Sequence, residues 1–166
     1  MLVAVISDTH DDWVAIRRFG ELVKRRGPAF IIHAGDWTSP FSLMKMRKAV
    51  GDMPIYTVLG NNEGDKINFA RQAAAHKVEI LGDAGLIEAG GRRIGVYHGT
   101  SELILEALIR SKMFDIVVYG HTHKVDIRHV DGTLVINPGE ACGCAHERKT
   151  AAFLDLSTLH VEIVDL

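Results

Sequence analysis

Residues 1–36 read MLVAVISDTHDDWVAIRRFGELVKRRGPAFIIHAGD, and this stretch decides the fold class. Leu2 to Ile6 form a continuous apolar run rich in β-branched side chains, which reads as a strand. Trp13, Ile16, Phe19 or Gly20, and Val23 then recur at helical spacing. Asp11 or Asp12 can cap that helix, and Gly27 with Pro28 ends it before a second apolar run at 30–32. Strand, polar loop, helix and strand in succession are the repeating unit of an α/β chain.

Working outward, the unit repeats. Ser39 and Pro40 read as N-cap and first position of a helix reaching about Val50, because proline is tolerated where a helix has no use for the amide. Pro54 separates that helix from a strand at 55–59, and a third helix is predicted over 65–75. From Lys77 the character changes. Short strands are predicted at 78–81, 86–89 and 93–97, the last two joined through Gly90 and Gly91 as a hairpin. A helix follows at 101–110, then strands at 116–119, 125–130, 133–136, 152–156 and 160–164, with Asp131-Gly132 as a tight turn. This order predicts a mostly parallel sheet joined to an antiparallel one, both covered by helices, with the core between two packed sheets. A chain of 166 residues without linker, repeat or low-complexity segment predicts one domain, 1–166.

Composition narrows the function classes. With 47% hydrophobic and 24% charged residues the chain has the balance of an ordinary globular protein. A formal net charge of -2 supplies no broad positive field, so there is no strong nucleic-acid signal. No stretch approaches the ~20 apolar residues of a membrane span, and the short apolar start carries no basic leader. The expectation is a mature cytoplasmic protein with no membrane partner; a homo-oligomer stays open. Cys142 and Cys144 are one residue apart and would close a very small, strained ring. Free thiols in a reducing compartment are therefore expected.

The chemistry lies just past the predicted strand ends. Asp8 and His10 follow the first strand, Asp36 the second, Asn61 the third, and His98, His121 and His123 later ones. Ligands of open α/β sheets bind beyond the carboxyl ends of the strands. Gly35, Gly60, Gly99 and Gly120 stand in these loops and allow sharp turns or close approach to a ligand. Two aspartates, one asparagine and four histidines mix oxygen and imidazole donors, more than one tetrahedral ion needs and about right for two cations. Two cations ~3.5 to 4 Å apart need a shared anionic ligand, which a carboxylate provides and a neutral imidazole does not. Asp36 is the candidate bridge.

Taken singly the elements are weak: Asp8 to His10 could cap the following helix, and Asn61 with Asn62 could be turn residues. His121 and His123 are harder to explain structurally, and the recurrence of polar residues after so many strands is what decides. His33 reads as a buried, hydrogen-bonded core histidine. A CxC without a second pair is a weak metal signal, so packing or spare thiols is the reading of Cys142 and Cys144.

These residues fall in motifs that resemble a known family: SDTH at 7–10, HAGD at 33–36, LGNN at 59–62, YHGT at 97–100, YGHTH at 119–123 and INPGE at 136–140. They resemble the calcineurin-like metallophosphoesterase superfamily, and the small size resembles its compact phosphodiesterase branch. The resemblance implies a four-layer α/β/β/α sandwich with two packed mixed β-sheets. It also implies a binuclear centre of two divalent ions, often manganese, with iron, nickel or zinc as alternatives. Asp8, His10, Asp36 and His123 would hold one ion, and Asp36, Asn61, His98 and His121 the other. The implied activity is hydrolysis of a small phosphodiester by hydroxide formed from water shared between the ions. Asp36, Asn61 and His98 stand closest to that chemistry, His98 steadying the phosphoryl oxygens. The family's third motif commonly carries a histidine after GN, thought to assist the leaving group; here Asn62 occupies that position. Two other functions share the fold: a protein-binding scaffold like the retromer subunit, and a nuclease. The complete ligand set argues against the scaffold, because an unpaired charged rim is costly, and the charge balance argues against the nuclease.

Overall fold

The computed structural model describes residues 1–166. The first half alternates β1 (Leu2–Ile6), α1 (Trp13–Arg26), β2 (Phe30–His33), α2 (Pro40–Val50), β3 (Ile55–Thr57), α3 (Lys66–Ala75) and β4 (Val78–Ile80). The second half runs β5 (Ala84–Ala89), β6 (Arg92–Tyr97), α4 (Glu102–Arg110), β7 (Ile116–Val118), β8 (Val125–Val130), β9 (Thr133–Pro138), β10 (Thr150–Asp155) and β11 (His160–Asp165). No helix is long and apolar enough to cross a membrane.

Local chemistry accounts for the ends. The Asp12 side chain accepts the Ala15 amide, and Gly27 closes α1 in the left-handed conformation that suits glycine. Asp65 and Ser101 accept the Asn68 and Ile104 amides at the starts of α3 and α4. Ser39 occupies the predicted cap position of α2 but does not cap it; its hydroxyl donates instead to Asp11 at 2.6 Å. Gly90-Gly91 and Asp131-Gly132 turn with positive φ at both positions, as two-residue hairpins require.

Two sheets result. The first has the order β11-β10-β1-β2-β3-β4, with β1 to β4 mutually parallel, β10 added antiparallel to β1 and β11 antiparallel to β10. The second has the order β5-β6-β7-β9-β8. Its centre is parallel and only its edges are antiparallel, which corrects the expectation of an antiparallel second sheet. The reason is α4, which lies between β6 and β7 in sequence and makes a crossover where a hairpin would have reversed the chain.

Side-chain parity then stacks four layers. Ala4 and Ile6 of β1 face α1 and α2, while Val3 and Val5 face the second sheet. In the second sheet Ile116 and Val118 pack inward and Val117 packs against Leu105 and Ile109 of α4. Strands buried on both faces read as unbroken apolar runs. The order helices, sheet, sheet, helix is the α/β/β/α sandwich.

Candidate metal centre

The carboxyl ends of the parallel strands of both sheets open onto one rim, and all seven expected ligand residues sit there. Asp8 and His10 follow β1, Asp36 follows β2, Asn61 follows β3, His98 follows β6, and His121 and His123 follow β7. Backbone bonds tie these loops together: Asp8 N–H to Gly35 O at 3.1 Å, His10 N–H to Asp36 O at 3.2 Å, and Gly120 N–H to His98 O at 2.9 Å. Asp8, His10, Asp36, His121 and His123 all have left-handed backbone, with φ between 40 and 65°. Such conformations in non-glycine residues persist only where the surroundings over-determine them.

The donors converge. Asp36 directs one carboxylate oxygen at His10 Nε2, 3.5 Å away, and the other at His98 Nε2, 3.4 Å away. Asp8 Oδ1 lies 3.3 Å from His123 Nε2 and 3.9 Å from His10 Nε2. Asn61 Oδ1 meets His98 Nε2 at 3.0 Å, and the His121 ring stands 5.2 Å from that of His98. The imidazoles are aimed by their other nitrogens: His10 Nδ1 on Thr38 Oγ1 at 3.1 Å, His98 Nδ1 on Ala34 O at 2.7 Å and His123 Nδ1 on Glu140 at 2.7 Å. Anchoring Nδ1 leaves Nε2 pointing inward, the arrangement by which proteins orient imidazole ligands.

Two observations test whether this set suits cations. Asp8 is fully buried, and its Oδ1 has no hydrogen-bond partner. A buried carboxylate oxygen that accepts no hydrogen bond is costly unless a positive charge, a metal ion or a protonated imidazole, meets it. A side chain added at Gly60 would strike the Asp36 carboxylate, and one added at Gly120 would strike Ser7 Oγ and Asp8 Oδ2. These two glycines hold open the space in front of both aspartates, so the residues fit a metal centre.

Electrostatics agree. Burial alone would raise the Asp36 carboxyl, but the His98 ring and the Asn62 donors outweigh it and hold Asp36 well below the usual carboxylate range. Burial likewise opposes charge on His98, yet Asp36 raises it. The neighbouring Asp8 carboxylate, helped by Glu140, pushes His123 up to about 9. Burial and the neighbouring His98 lower His121. The rim thus couples buried carboxylates to imidazoles whose charge they favour.

His33 is a core histidine, as expected. It stacks on Trp37 at 3.6 Å between ring centroids, accepts the Gly35 N–H at Nδ1 and contacts Thr9 Oγ1 through Nε2 at 3.2 Å. Three supporting residues escaped the sequence reading. Glu63 is buried and accepts the Asp36 and Gly60 amides, both at 3.0 Å, joining two ligand loops. Glu140 holds His123, and Thr38 holds His10. The only sequence signal for these acids was their place in or beside the LGNN and INPGE motifs. Asn62 is a further surprise: its amide nitrogens, main chain and side chain, each donate to Asp36 at 2.8 Å.

Cys142 and Cys144 correct an expectation: they are joined as a disulfide. Gly143, at φ 66°, folds the chain back and brings the two Cα atoms to 5.2 Å, within reach of a bridge. The thiol argument for a reducing compartment falls with it.

Comparison with known proteins places this geometry. Residues 1–159 match the profile of the calcineurin-like phosphoesterase superfamily domain. The chain belongs to that superfamily. A phosphodiesterase of Methanocaldococcus jannaschii is 32% identical over 156 residues, covering 93% of each chain. A solved archaeal phosphodiesterase superposes with a TM-score of 0.94 at 30% identity over the whole of both chains. The phosphoesterase YfcE from E. coli, at 18% identity and a TM-score of 0.72, shares the fold, as does zinc-complexed Vps29 from Entamoeba histolytica at 20% and 0.69. This superfamily member is therefore a phosphoesterase in fold and family, with its rim at the mouth of both sheets.

Proposed function

We propose that the chain is a metal-dependent phosphodiesterase acting on a small phosphodiester, with residues 1–166 working as one unit. The observation that carries the reading is the Asp36 carboxylate, whose two oxygens face different imidazoles, beside a buried Asp8 Oδ1 that faces His123 and His10. The relative named a phosphodiesterase supports the substrate class. Asp8, His10, Asp36 and His123 would hold one divalent ion, and Asp36, Asn61, His98 and His121 the other. Such ions supply an acidified water and stabilise charge on phosphoryl oxygens. Manganese, often the activating ion of the superfamily this chain resembles, is our choice, with iron, nickel or zinc also suited to these oxygen and imidazole donors.

The chain's own residues do the positioning. His98 is fixed through Nδ1 on Ala34 O and presents Nε2 to the rim, where it would hold the ion that steadies the phosphoryl oxygens. Asn61 Oδ1 and Asp36 Oδ1 flank that nitrogen at 3.0 and 3.4 Å. Asn62 cannot act as a general acid, because a carboxamide does not give up a proton near neutrality. Missing general acid catalysis costs ~10² to 10⁴-fold, most for poor leaving groups.

Two measurements test this. Exhaustive chelation should abolish hydrolysis of an aryl phosphodiester and manganese should restore it; full turnover by verified metal-free protein would overturn the proposal. Across aryl esters of graded leaving-group pKa the rate should fall steeply, and Asn62→His should flatten the dependence. A flat parent series would show that another group supplies the proton.

A further inference from the structure

The CxC pair lies beside the candidate metal centre, although nothing in the proposed reaction uses it. Cys142 N–H donates to Asp8 O at 3.1 Å and Ala141 N–H to Ser7 O at 3.0 Å, so the cysteine segment is laced to the first ligand loop. Cys142 Sγ lies within 4.8 Å of a ring nitrogen of His10 and of one of His123, and 3.4 Å from the Glu140 oxygen that also holds His123 Nδ1. The Asp8 oxygen without a partner faces the same two rings. The two sulfurs differ in access: Cys142 is 6% exposed, whereas Cys144 is on the surface.

We propose that Cys142 is a redox-gated ligand of this centre. The inference rests on the metal-centre reading. In the reduced protein the Cys142 thiolate joins His10 and His123 around the ion; in the disulfide form that donor is withdrawn. Thiolate is a strong donor for first-row ions that accept imidazole. A disulfide spanning a single residue restricts the unfolded chain little, so little entropic stabilisation opposes its reduction.

The exchange balances without any other cofactor. A low-molecular-weight thiolate attacks the accessible Cys144 sulfur, forms a mixed disulfide there, and expels Cys142 as a thiolate toward the rim. A second thiolate attacks the small-molecule sulfur of the mixed disulfide, releasing Cys144 thiolate and a low-molecular-weight disulfide. The two electrons come from the two thiols, and the reverse path consumes the small disulfide. Attack at the exposed sulfur makes the buried, rim-facing sulfur the leaving group, which is the one the ion would capture.

Cobalt reads both halves separately. Metal-free protein, poised reduced or oxidised in a glutathione buffer and then desalted anaerobically, is titrated with Co²⁺. Visible d–d bands report an ion among the histidines and aspartates; an intense near-ultraviolet band reports sulfur-to-cobalt charge transfer. Both are expected in the reduced parent and in Cys144→Ser, which cannot form the internal disulfide. Only the visible bands are expected in the oxidised parent and in Cys142→Ser, with the Co²⁺ dissociation constant raised about tenfold or more. Visible bands without charge transfer in the reduced parent, or charge transfer persisting in Cys142→Ser, would overturn the thiolate assignment while leaving the centre intact. Absence of visible bands in every form would overturn the metal centre and this inference together. Should Cys142→Ser fail to fold, the reduced and oxidised parent with Cys144→Ser still decide.

Discussion

Thirteen non-glycine residues adopt left-handed backbone, and five of them are candidate metal ligands, flanked by Asp11 and Thr38 with the same conformation. Strain of this kind costs of order 1 to 3 kcal/mol per residue and concentrates at functional sites. Here it turns consecutive loop side chains toward one point, which is how Asp36 comes to face two imidazoles. Asp36→Asn should therefore lower occupancy at both sites, whereas His123→Ala or Asn61→Ala should deplete mainly one. Elemental analysis finding two retained ions in Asp36→Asn would count against the bridge. His33 gives a second residue-scale prediction. Burial, with repulsion from His98, holds its folded-state pKa well below 6.5. The unfolded chain then binds the extra proton below pH 6.5, so the stability due to neutral His33 is complete above that value and declines as pH falls toward the folded pKa. In chelated protein the slope approaches ~1.4 kcal/mol per pH unit. Urea unfolding from pH 7 to 5 should show this decline weakened in His33→Gln. Equal slopes in the two proteins would refute it.

At the scale of elements, the contact between α1 and α2 sets how closely the helical layer packs. Gly20 lies in α1 where an added Cβ would come 2.6 Å from Ala49 Cβ and 2.9 Å from its carbonyl oxygen. In an isolated helix, replacing glycine with alanine gains ~1 kcal/mol. Here the steric term opposes that gain, and overpacking costs ~1 to 3 kcal/mol because helix backbones must separate. Gly20→Ala should lower the melting temperature; a rise of several degrees would mean that the helices separate freely. The Asp12 cap, the Gly27 end of α1 and both two-residue hairpins were legible in sequence because their signals are local. Ser39 shows the limit of such signals. It stands at the cap position but accepts no helix amide, and its hydroxyl donates to Asp11, brought in from the loop after β1.

For the whole molecule, the last two strands close the first sheet on the first strand. β10 pairs with β1 in the register Val3↔Leu154 and Ala4↔Phe153, across more than 140 residues of sequence. Phe153 is buried among the helix-facing cluster and Leu154 among the residues between the sheets. Losing one such phenylalanine costs ~3 to 5 kcal/mol, against a total stability of ~5 to 15 kcal/mol. A chain ending at Glu147 should thus lack a cooperative thermal transition by circular dichroism, and its metal loops should not assemble. A sharp transition in that fragment would show that β1 to β9 fold independently of the closing strands.

The amino-acid sequence by itself determined the helix and strand order, the hairpin turns and the seven polar residues past the strand ends. Each of these is written in short windows, through apolar periodicity, caps and glycine. Only the tertiary structure decided that the second sheet has a parallel centre and that β10 and β11 return to the first. Strand pairing joins distant segments whose local patterns suit several partners equally. The roles of Glu63, Glu140 and Thr38 were hidden for the same reason, since each acts on a residue supplied by another loop. Cys142 completes the contrast: two cysteines one residue apart gave a weak signal in sequence, and only packing of their segment against the Asp8 loop sets one sulfur beside His10 and His123.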